Sequence, residues 1–282
     1  MAIDYRHGIS ILEIIVYSPT IFLALWMSFH HGFKRSSGWV FFIIFSLARI
    51  IGSACYLATI HYPSDVNLYI TWAVCTSLGL SPLILACIGL LSRANDSIMR
   101  KTANPLPPKI FRLVGLFSVI GVILSIVGAT KNFNISHFVV TTETKDGLIF
   151  YLIAWIGVCG LFLLVLQRNQ SIEDGEHRLL LAVGVSLPLL LVRLIYSFIY
   201  SFGRKTEFNM LSGNVTIQLV MSVLEEMVVV FLCLGIGLTL QVRPAAEYTQ
   251  QTNVHGGEEN FVELESGRLQ GQTREMRQAQ RP

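Results

Sequence analysis

Residues 214–240 have the sequence NVTIQLVMSVLEEMVVVFLCLGIGLTL, an apolar run that is interrupted near its centre by Glu225 and Glu226. A helix needs about 20 mainly apolar residues to cross the hydrocarbon core of a bilayer, so this run is long enough to be a membrane span. Carboxyl groups at that depth are costly and normally face the interior of a helix bundle. The run therefore predicts a membrane helix that packs against a polar interior.

Six further apolar runs of comparable length precede this one, at about residues 9–30, 38–60, 68–91, 111–130, 147–167 and 179–201. In lipid, a span must satisfy its own backbone hydrogen bonds unless it belongs to a closed barrel, and the alternating segments of barrel strands do not occur here. We therefore expect an all-α membrane protein, a bundle of seven transmembrane helices formed by residues 1–240. Pro19, Pro82 and Pro188 lie within spans and predict local kinks.

The chain changes character after the seventh run. Residues 241–282 are rich in Gln, Glu and Arg and contain almost no apolar residues. Such a segment cannot bury enough surface to offset the entropy of ordering. We expect a disordered C-terminal tail that lies in the cytosol and is long enough to contact a cytosolic partner.

The composition excludes several classes of protein. Hydrophobic residues make up 52% of the 282 residues and charged residues only 14%, against about 25% charged in soluble domains. The net charge is +3 and the basic residues are spread over the chain, which argues against a nucleic-acid partner and leaves the lipid bilayer as the main one. The sequence has no zinc-type cysteine spacing, no histidine set within the spans and no glycine-rich phosphate loop, so we expect neither a metal nor a cofactor.

Lys and Arg in short loops favour the cytosolic side of a membrane. The loops after the first, third and fifth spans carry nine such residues: Lys34, Arg35, Arg93, Arg100, Lys101, Lys109, Arg112, Arg168 and Arg178. The opposite side carries five: Arg6, Lys131, Lys145, Arg204 and Lys205. We therefore expect the N-terminus outside or in a lumen and the C-terminus in the cytosol, in the plasma membrane or the endoplasmic reticulum. Asn134 is then the expected acceptor of an N-linked glycan.

Ionisable residues occur within four of the runs, and each lies on a polar stripe with helical spacing. The stripes are Ser10, Glu13, Tyr17 and Thr20 in the first run, Ser46, Arg49, Ser53 and Tyr56 in the second, Ser186, Arg193, Tyr196, Ser197 and Tyr200 in the sixth, and Gln218, Met221 and Glu225, with Ser222 and Glu226 beside them, in the seventh. Four helices that each turn a polar face inward predict one shared interior cluster.

The ionisable residues comprise two arginines and three glutamates. A guanidinium group binds a carboxylate through paired hydrogen bonds, so we expect Arg49 and Arg193 to pair with Glu225 and Glu226. Glu13 is expected closer to the interface, near lipid headgroups or water. One carboxyl group then lacks a partner and, in a low-dielectric site, keeps its proton.

Two interpretations of these residues stay open. Arg–Glu pairs between spans can simply fix the helix register, or the same residues can form a ligand or proton site. Neighbouring residues differ by about 100° around a helix, so the two adjacent glutamates cannot point the same way. The candidates for buried ion pairing or ligand binding are Glu13, Tyr17, Arg49, Arg193, Tyr196, Glu225 and Glu226.

The spans also contain the motifs Gly38-Trp39, Ala48-Arg49-Ile50-Ile51-Gly52, Gly79-Leu80-Ser81-Pro82-Leu83, Gly89-Leu90-Leu91, His177-Arg178-Leu179-Leu180, Leu187-Pro188, Val192-Arg193-Leu194-Ile195-Tyr196 and Glu225-Glu226. Together these motifs resemble those of a family of uncharacterised fungal seven-helix integral membrane proteins. The resemblance covers residues 5–240 and implies a fungal source and a seven-span fold. It implies no activity and no functional residue.

Two functions from different classes stay open, and with them whether the protein is an enzyme. The first is a receptor- or sensor-like bundle that binds a small amphiphilic ligand at the Arg/Glu cluster, which the converging polar stripes favour. The alternative is a membrane-embedded enzyme of fungal secondary metabolism with a lipophilic substrate, such as an acid-initiated isoprenoid (terpene) cyclase. In that case the spare carboxyl group donates the proton and tyrosines stabilise carbocations.

Overall fold

The computed structural model describes residues 4–30, 38–102, 105–131, 141–168, 172, 175–203 and 213–240. All regular secondary structure in these ranges is helical. The helices are α1 (Tyr5–His30), α2 (Trp39–Ala58), α3 (Val66–Leu78), α4 (Leu80–Thr102), α5 (Pro108–Thr130), α6 (Thr142–Gln167), α7 (His177–Gly203), α8 (Val215–Gln218) and α9 (Glu225–Leu238), with a π-helical segment at Leu219–Leu224 between α8 and α9. The tail expected at residues 241–282 lies outside the described residues.

These helices form seven spans. α3 and α4 together make the third span, and α8, the π-helical segment and α9 make the seventh. Each span is long and apolar enough to cross a membrane. Large apolar side chains such as Ile15, Phe22 and Ile156 are exposed on the outside of the bundle, as a lipid environment requires. The predicted all-α membrane protein with seven spans is confirmed.

The third span is interrupted at Gly79, between the end of α3 at Leu78 and the start of α4 at Leu80. Pro82 accounts for the position, because proline has no N–H to donate to the carbonyl group four residues earlier, that of Leu78. Pro19 and Pro188, in contrast, lie inside helices that continue through them. Of the three prolines, only Pro82 is accompanied by a helix break.

α4 continues to Thr102, well past residue 91, where the third span was predicted to end. Polar contacts stabilise this extension together with the buried Ala94 and Ile98. Arg93 Nε lies 3.3 Å from Glu176 Oε1, and the Asn95 side chain bonds both backbone polar groups of Leu106. The expectation that Arg93, Arg100 and Lys101 lie in a loop was therefore wrong. A search for apolar runs misses helix that is stabilised by such pairs.

α4 is the central helix of the bundle. It packs against α2, α3, α5, α6 and α7, and the third span is the most buried of the seven. Its Leu83, Ile84, Leu90 and Leu91 side chains are almost completely buried. The apolar core therefore surrounds α4, and the ionisable residues of the other spans lie beside it.

α5 and α6 pack closely because glycines on both helices remove the side chains from their contact. A Cβ atom on Gly147 would lie 2.6 Å from Ser125 Oγ and 2.9 Å from the carbonyl oxygen of Gly121. Gly160, on the same helix as Gly147, has open space around it. Small residues at such positions allow two membrane helices to approach each other.

We expect Gly147→Ala to destabilise the bundle by about 1–3 kcal/mol, because the added methyl group overlaps the backbone of α5. Gly160→Ala is the matched control and should leave stability unchanged or raise it slightly, since alanine is the better helix former. The melting temperatures of both variants in detergent, monitored by size-exclusion chromatography after heating, measure the difference in stability. Equal melting temperatures for the two variants would contradict the close α5–α6 contact.

Candidate functional site

Four ionisable side chains from four spans meet in the interior, and we call Glu13, Arg49, Arg193 and Glu226 the charge cluster. Arg49 Nη1 lies 3.4 Å from Glu13 Oε1, and Arg49 Nη2 contacts Glu226 Oε2. Arg193 Nε lies 2.6 Å from Glu226 Oε1. The carboxylate of Glu226 is thus held between two guanidinium groups, and the four formal charges sum to zero.

All four members of the charge cluster are buried, with exposed fractions between 1% and 5%. Burying a charge away from water costs several kcal/mol unless it is paired and hydrogen-bonded. Ser53 donates a hydrogen bond to Glu13, which supplies part of this compensation. Glu13 was expected near the interface, but it lies inside the bundle because Ser53 and Arg49 of α2 reach it.

Arg193 is bonded through all three nitrogens of its guanidinium group. Besides its contact with Glu226, it donates to Ser222 Oγ, and its Nη2 donates to the carbonyl oxygen of Thr76 at 3.0 Å. The carbonyl oxygen of Thr76 also accepts the backbone N–H of Gly79 at 3.3 Å, and its second lone pair takes the bond from Arg193. The turn at the interruption of the third span therefore supplies an acceptor for a buried arginine.

Gly79 also lets the cluster approach the backbone of the third span. A Cβ atom at this position would lie 2.7 Å from Arg49 Nη2 and 2.8 Å from Glu226 Oε1. Any side chain here would displace the ion pair. The break and the glycine together explain how α2, α7 and α9 bring their charged groups to one point.

Glu226, rather than Glu225, is the partner of both arginines. Glu226 is buried, whereas Glu225 is half-buried and its Oε2 atom has no hydrogen-bond partner among the described residues. The π-helical segment directly before them has a wider turn than an α-helix. Within it, Ser222 is buried and shares the Glu226 side of the span, while Met221 is half-buried like Glu225. The expected pairing of an arginine with Glu225 is not observed.

The two candidate tyrosines lie at different places. Tyr17 is completely buried one turn after Glu13, and its ring meets Phe45 edge to face at a centroid distance of 5.4 Å. Its hydroxyl group has no hydrogen-bond partner within the described part of the chain. Tyr196 lies one turn after Arg193 and lines a pocket beside the cluster. Only Tyr196 of the two is a lining residue of that pocket.

This main pocket has a volume of about 70 Å³ and lies between α3, the start of α4, α5, α6, α7 and the seventh span. Ten of its fourteen described lining residues carry a hydroxyl group, and Arg193 and Gln218 add further polar groups. Thr144 in the first turn of α6 and Ser201 near the end of α7 place it in the half of the bundle that holds the N-terminus. The charge cluster meets the pocket through Arg193.

Residues 3–243 match the family described as Domain of unknown function (DUF7702). The chain belongs to the DUF7702 family. The matched range contains the whole charge cluster and every residue that lines the main pocket. A search of curated proteins finds no match to the chain. The resemblance to an uncharacterised family is thereby confirmed, while the fungal source that it implied stays a prediction.

A second, smaller pocket of the DUF7702 chain lies closer to the N-terminus, and we call it the N-terminal pocket. It is lined by Arg6, Ile9, Ser10, Glu13, Tyr56, Trp72 and Gln218. Arg6 Nη2 donates to the carbonyl oxygen of Gly213 at 2.6 Å, and its Nη1 donates to Gln218 Oε1 at 3.4 Å. Gln218 lines both pockets. Arg6 therefore ties α1 to the seventh span above the charge cluster.

Sequence reasoning missed half of the main pocket in this DUF7702 chain. Thr76, Ser125, Thr144 and Tyr151 come from α3, α5 and α6, which contribute no charged residue to the cluster. The helical spacing of hydroxyl residues in those spans was the sequence signal that could have predicted these lining residues. Among the described residues, no group of three or more His, Cys, Asp or Glu side chains is arranged to hold a metal ion.

We expect Glu226→Gln to lower the free energy of unfolding by about 3–5 kcal/mol, because two buried guanidinium groups then share the single carboxylate of Glu13. Glu225→Gln, the same change one residue earlier, should cost less than about 1 kcal/mol, since no arginine contacts it. Unfolding by sodium dodecyl sulfate in mixed micelles, monitored by circular dichroism, measures both free-energy changes.

A double variant controls for the loss of charge balance. Arg193→Met combined with Glu226→Gln leaves Arg49 paired with Glu13 and removes one charge of each sign. We expect it to be more stable than Glu226→Gln alone. If the double variant is less stable than the single one, the balance of charge does not control the stability of the cluster.

Proposed function

We propose that this multi-pass membrane protein is a receptor- or sensor-like bundle that binds a small amphiphilic ligand in the main pocket. The observation that carries the proposal is the concentration of hydroxyl groups around an interior pocket that also contains the buried guanidinium group of Arg193. Ligand sites are concave and use a few convergent polar groups to orient the ligand.

The membrane-embedded enzyme is the weaker alternative. An acid-initiated cyclase needs a proton donor in contact with the substrate, and Glu225, the carboxyl group without an arginine partner, is not among the described lining residues of the main pocket. Glu226 has each of its oxygen atoms against a guanidinium group. Three tyrosines line the pocket, and they can bind a neutral ligand by hydrogen bonding as readily as they can stabilise a cation.

A photoaffinity experiment tests ligand binding at the main pocket. Octadecenyl probes that carry a diazirine and an alkyne in the chain, with a glycerol, sulfate or amine headgroup, are irradiated with the protein in phosphatidylcholine nanodiscs. We expect at least one probe to label peptides of α6 and α7. We also expect an excess of the parent compound, which lacks the diazirine and alkyne, to reduce this labelling by competition. Ser197→Phe, which fills the pocket, should abolish this competed labelling.

Val185→Phe is the matched control, because it adds the same ring to α7 at a position with an exposed fraction of 43%, outside the pocket. Competed labelling should persist in this variant. Labelling that is unchanged by Ser197→Phe, or abolished equally by Val185→Phe, would rule out the main pocket as the binding site.

We further propose that residues 1–240 form the membrane domain and residues 241–282 a disordered cytosolic tail, with the N-terminus outside or in a lumen. The excess of Lys and Arg after the first, third and fifth spans, on the side opposite to the N-terminus, supports this orientation. In it, the main pocket opens in the outer or lumenal half of the bundle, where a ligand from outside the cytosol reaches it.

The orientation predicts a glycan at Asn134, which lies outside the described residues. We expect digestion with peptide N-glycosidase to shift the mobility of the protein expressed in a eukaryotic cell, and Asn134→Gln to remove that shift. Asn169→Gln, which alters the sequon Asn169-Gln170-Ser171 on the opposite side, is the control and should retain it. A shift that is lost with Asn169→Gln instead would invert the topology.

A further inference from the structure

The positive charge beside the main pocket is already neutralised within the protein. Arg193 contacts the Glu226 carboxylate and donates to Ser222 and to the Thr76 carbonyl oxygen. These contacts use three of its five N–H donors. Its charge is balanced by Glu226, and the formal charges of the cluster already sum to zero. An anionic ligand beside Arg193 would therefore add an unbalanced negative charge to a buried site.

Three hydroxyl groups of the pocket donate to carbonyl groups of their own helices and face a ligand as acceptors. Thr76 Oγ1 donates to the carbonyl oxygen of Trp72 and Ser77 Oγ to that of Ala73, both at 2.8 Å. Ser197 Oγ donates to the carbonyl oxygen of Arg193 at 3.2 Å. A hydroxyl group has one proton and two lone pairs, so each of these groups has used its donor and offers only lone pairs to a ligand.

The Tyr151 hydroxyl group is only weakly bonded in the pocket. Tyr151 is 1% exposed and lines the main pocket, and its hydroxyl group makes no hydrogen bond of good geometry among the described residues, although Ser81 and Ser125 lie within reach of it. Leaving a buried polar group unpaired costs free energy, and a ligand hydroxyl group, which both donates and accepts, satisfies it.

From these three observations we infer that the main pocket recognises an uncharged headgroup that donates hydrogen bonds, an alcohol or a polyol. This inference rests on the proposed ligand-binding function and deepens it. A carboxylate or sulfate has no proton to offer the lone pairs of Thr76 and Ser197. A cationic amine has such protons, but no carboxylate is among the described residues that line the pocket to balance its charge.

The size of the pocket agrees with a small polyol. A space of about 10–15 Å³ accommodates one water-sized group, so the 70 Å³ of the main pocket accommodates roughly five. A glycerol unit, with three carbons and up to three hydroxyl groups, is of this size. The same chemistry is offered by a free polyol and by the headgroup of a neutral glycerolipid.

Competition against the glycerol-headed photoprobe tests the inference in phosphatidylcholine nanodiscs. The competitors are 1-monooleoylglycerol, its di-O-methyl ether, oleyl sulfate and oleylamine. We expect 1-monooleoylglycerol to compete at concentrations about tenfold lower than the dimethyl ether, which keeps the chain and the oxygen atoms but has no proton to donate. The charged competitors should be at least as weak as the ether. Free glycerol is the last competitor. If glycerol alone reduces the labelling, a free polyol is sufficient for binding. If glycerol alone has no effect, the pocket requires a headgroup that is linked to a lipid chain.

Variants locate the effect in the pocket. Tyr151→Phe removes a hydroxyl group that makes no hydrogen bond of good geometry among the described residues, so it should change the melting temperature little and weaken competition by 1-monooleoylglycerol severalfold. Tyr62→Phe, at an exposed residue outside the pocket, is the matched control and should change neither.

The outcomes separate the inference from the proposed function. Competed labelling in which the ether, the sulfate or the amine equals or exceeds 1-monooleoylglycerol would overturn the headgroup assignment and leave ligand binding in place. An unchanged competition curve for Tyr151→Phe would likewise overturn it. If no probe gives competed labelling that depends on Ser197, both proposals fail.

Discussion

The carboxylate of Glu226 contacts guanidinium groups from two other spans, and the position of the surrounding helices depends on this contact. A charge in the interior of a membrane bundle has lost its hydration, and only a complete set of partners compensates for that loss. Arg49 extends the contact to Glu13, so α1, α2, α7 and α9 are all bound to one point. Rotation or sliding of any of these spans separates charges of opposite sign in a low-dielectric medium.

The third span accommodates this cluster through its interruption. At the end of α3 the carbonyl oxygen of Thr76 accepts from both Gly79 N and Arg193, and the missing side chain at Gly79 leaves room for Arg49 and Glu226. The same region of α3 contributes hydroxyl groups to the main pocket. One local irregularity, which Pro82 enforces, thus serves both the ion pairs and the pocket.

The two roles that the sequence left open for the ionisable residues are compatible in this structure. The charge cluster is internally neutral and bonded, which suits a fixed connection between helices. The pocket beside it is lined with hydroxyl groups whose bonding capacity is only partly used, which suits recognition of a ligand. Membership of the DUF7702 family adds no activity to either role. The proposed function therefore rests on the hydroxyl groups, and Arg193 joins the two features.

The seven spans, and the inward direction of four polar stripes, follow from the sequence alone, because length, apolarity and helical period are local properties. The length of α4 does not, since Arg93 and Asn95 stabilise its end through contacts with distant residues. The preference for Glu226 over Glu225 and the inclusion of Tyr151 in the pocket also required the tertiary structure. A difference of one residue rotates a side chain by about 100°, and the neighbours that it then meets come from other helices whose positions no single span specifies.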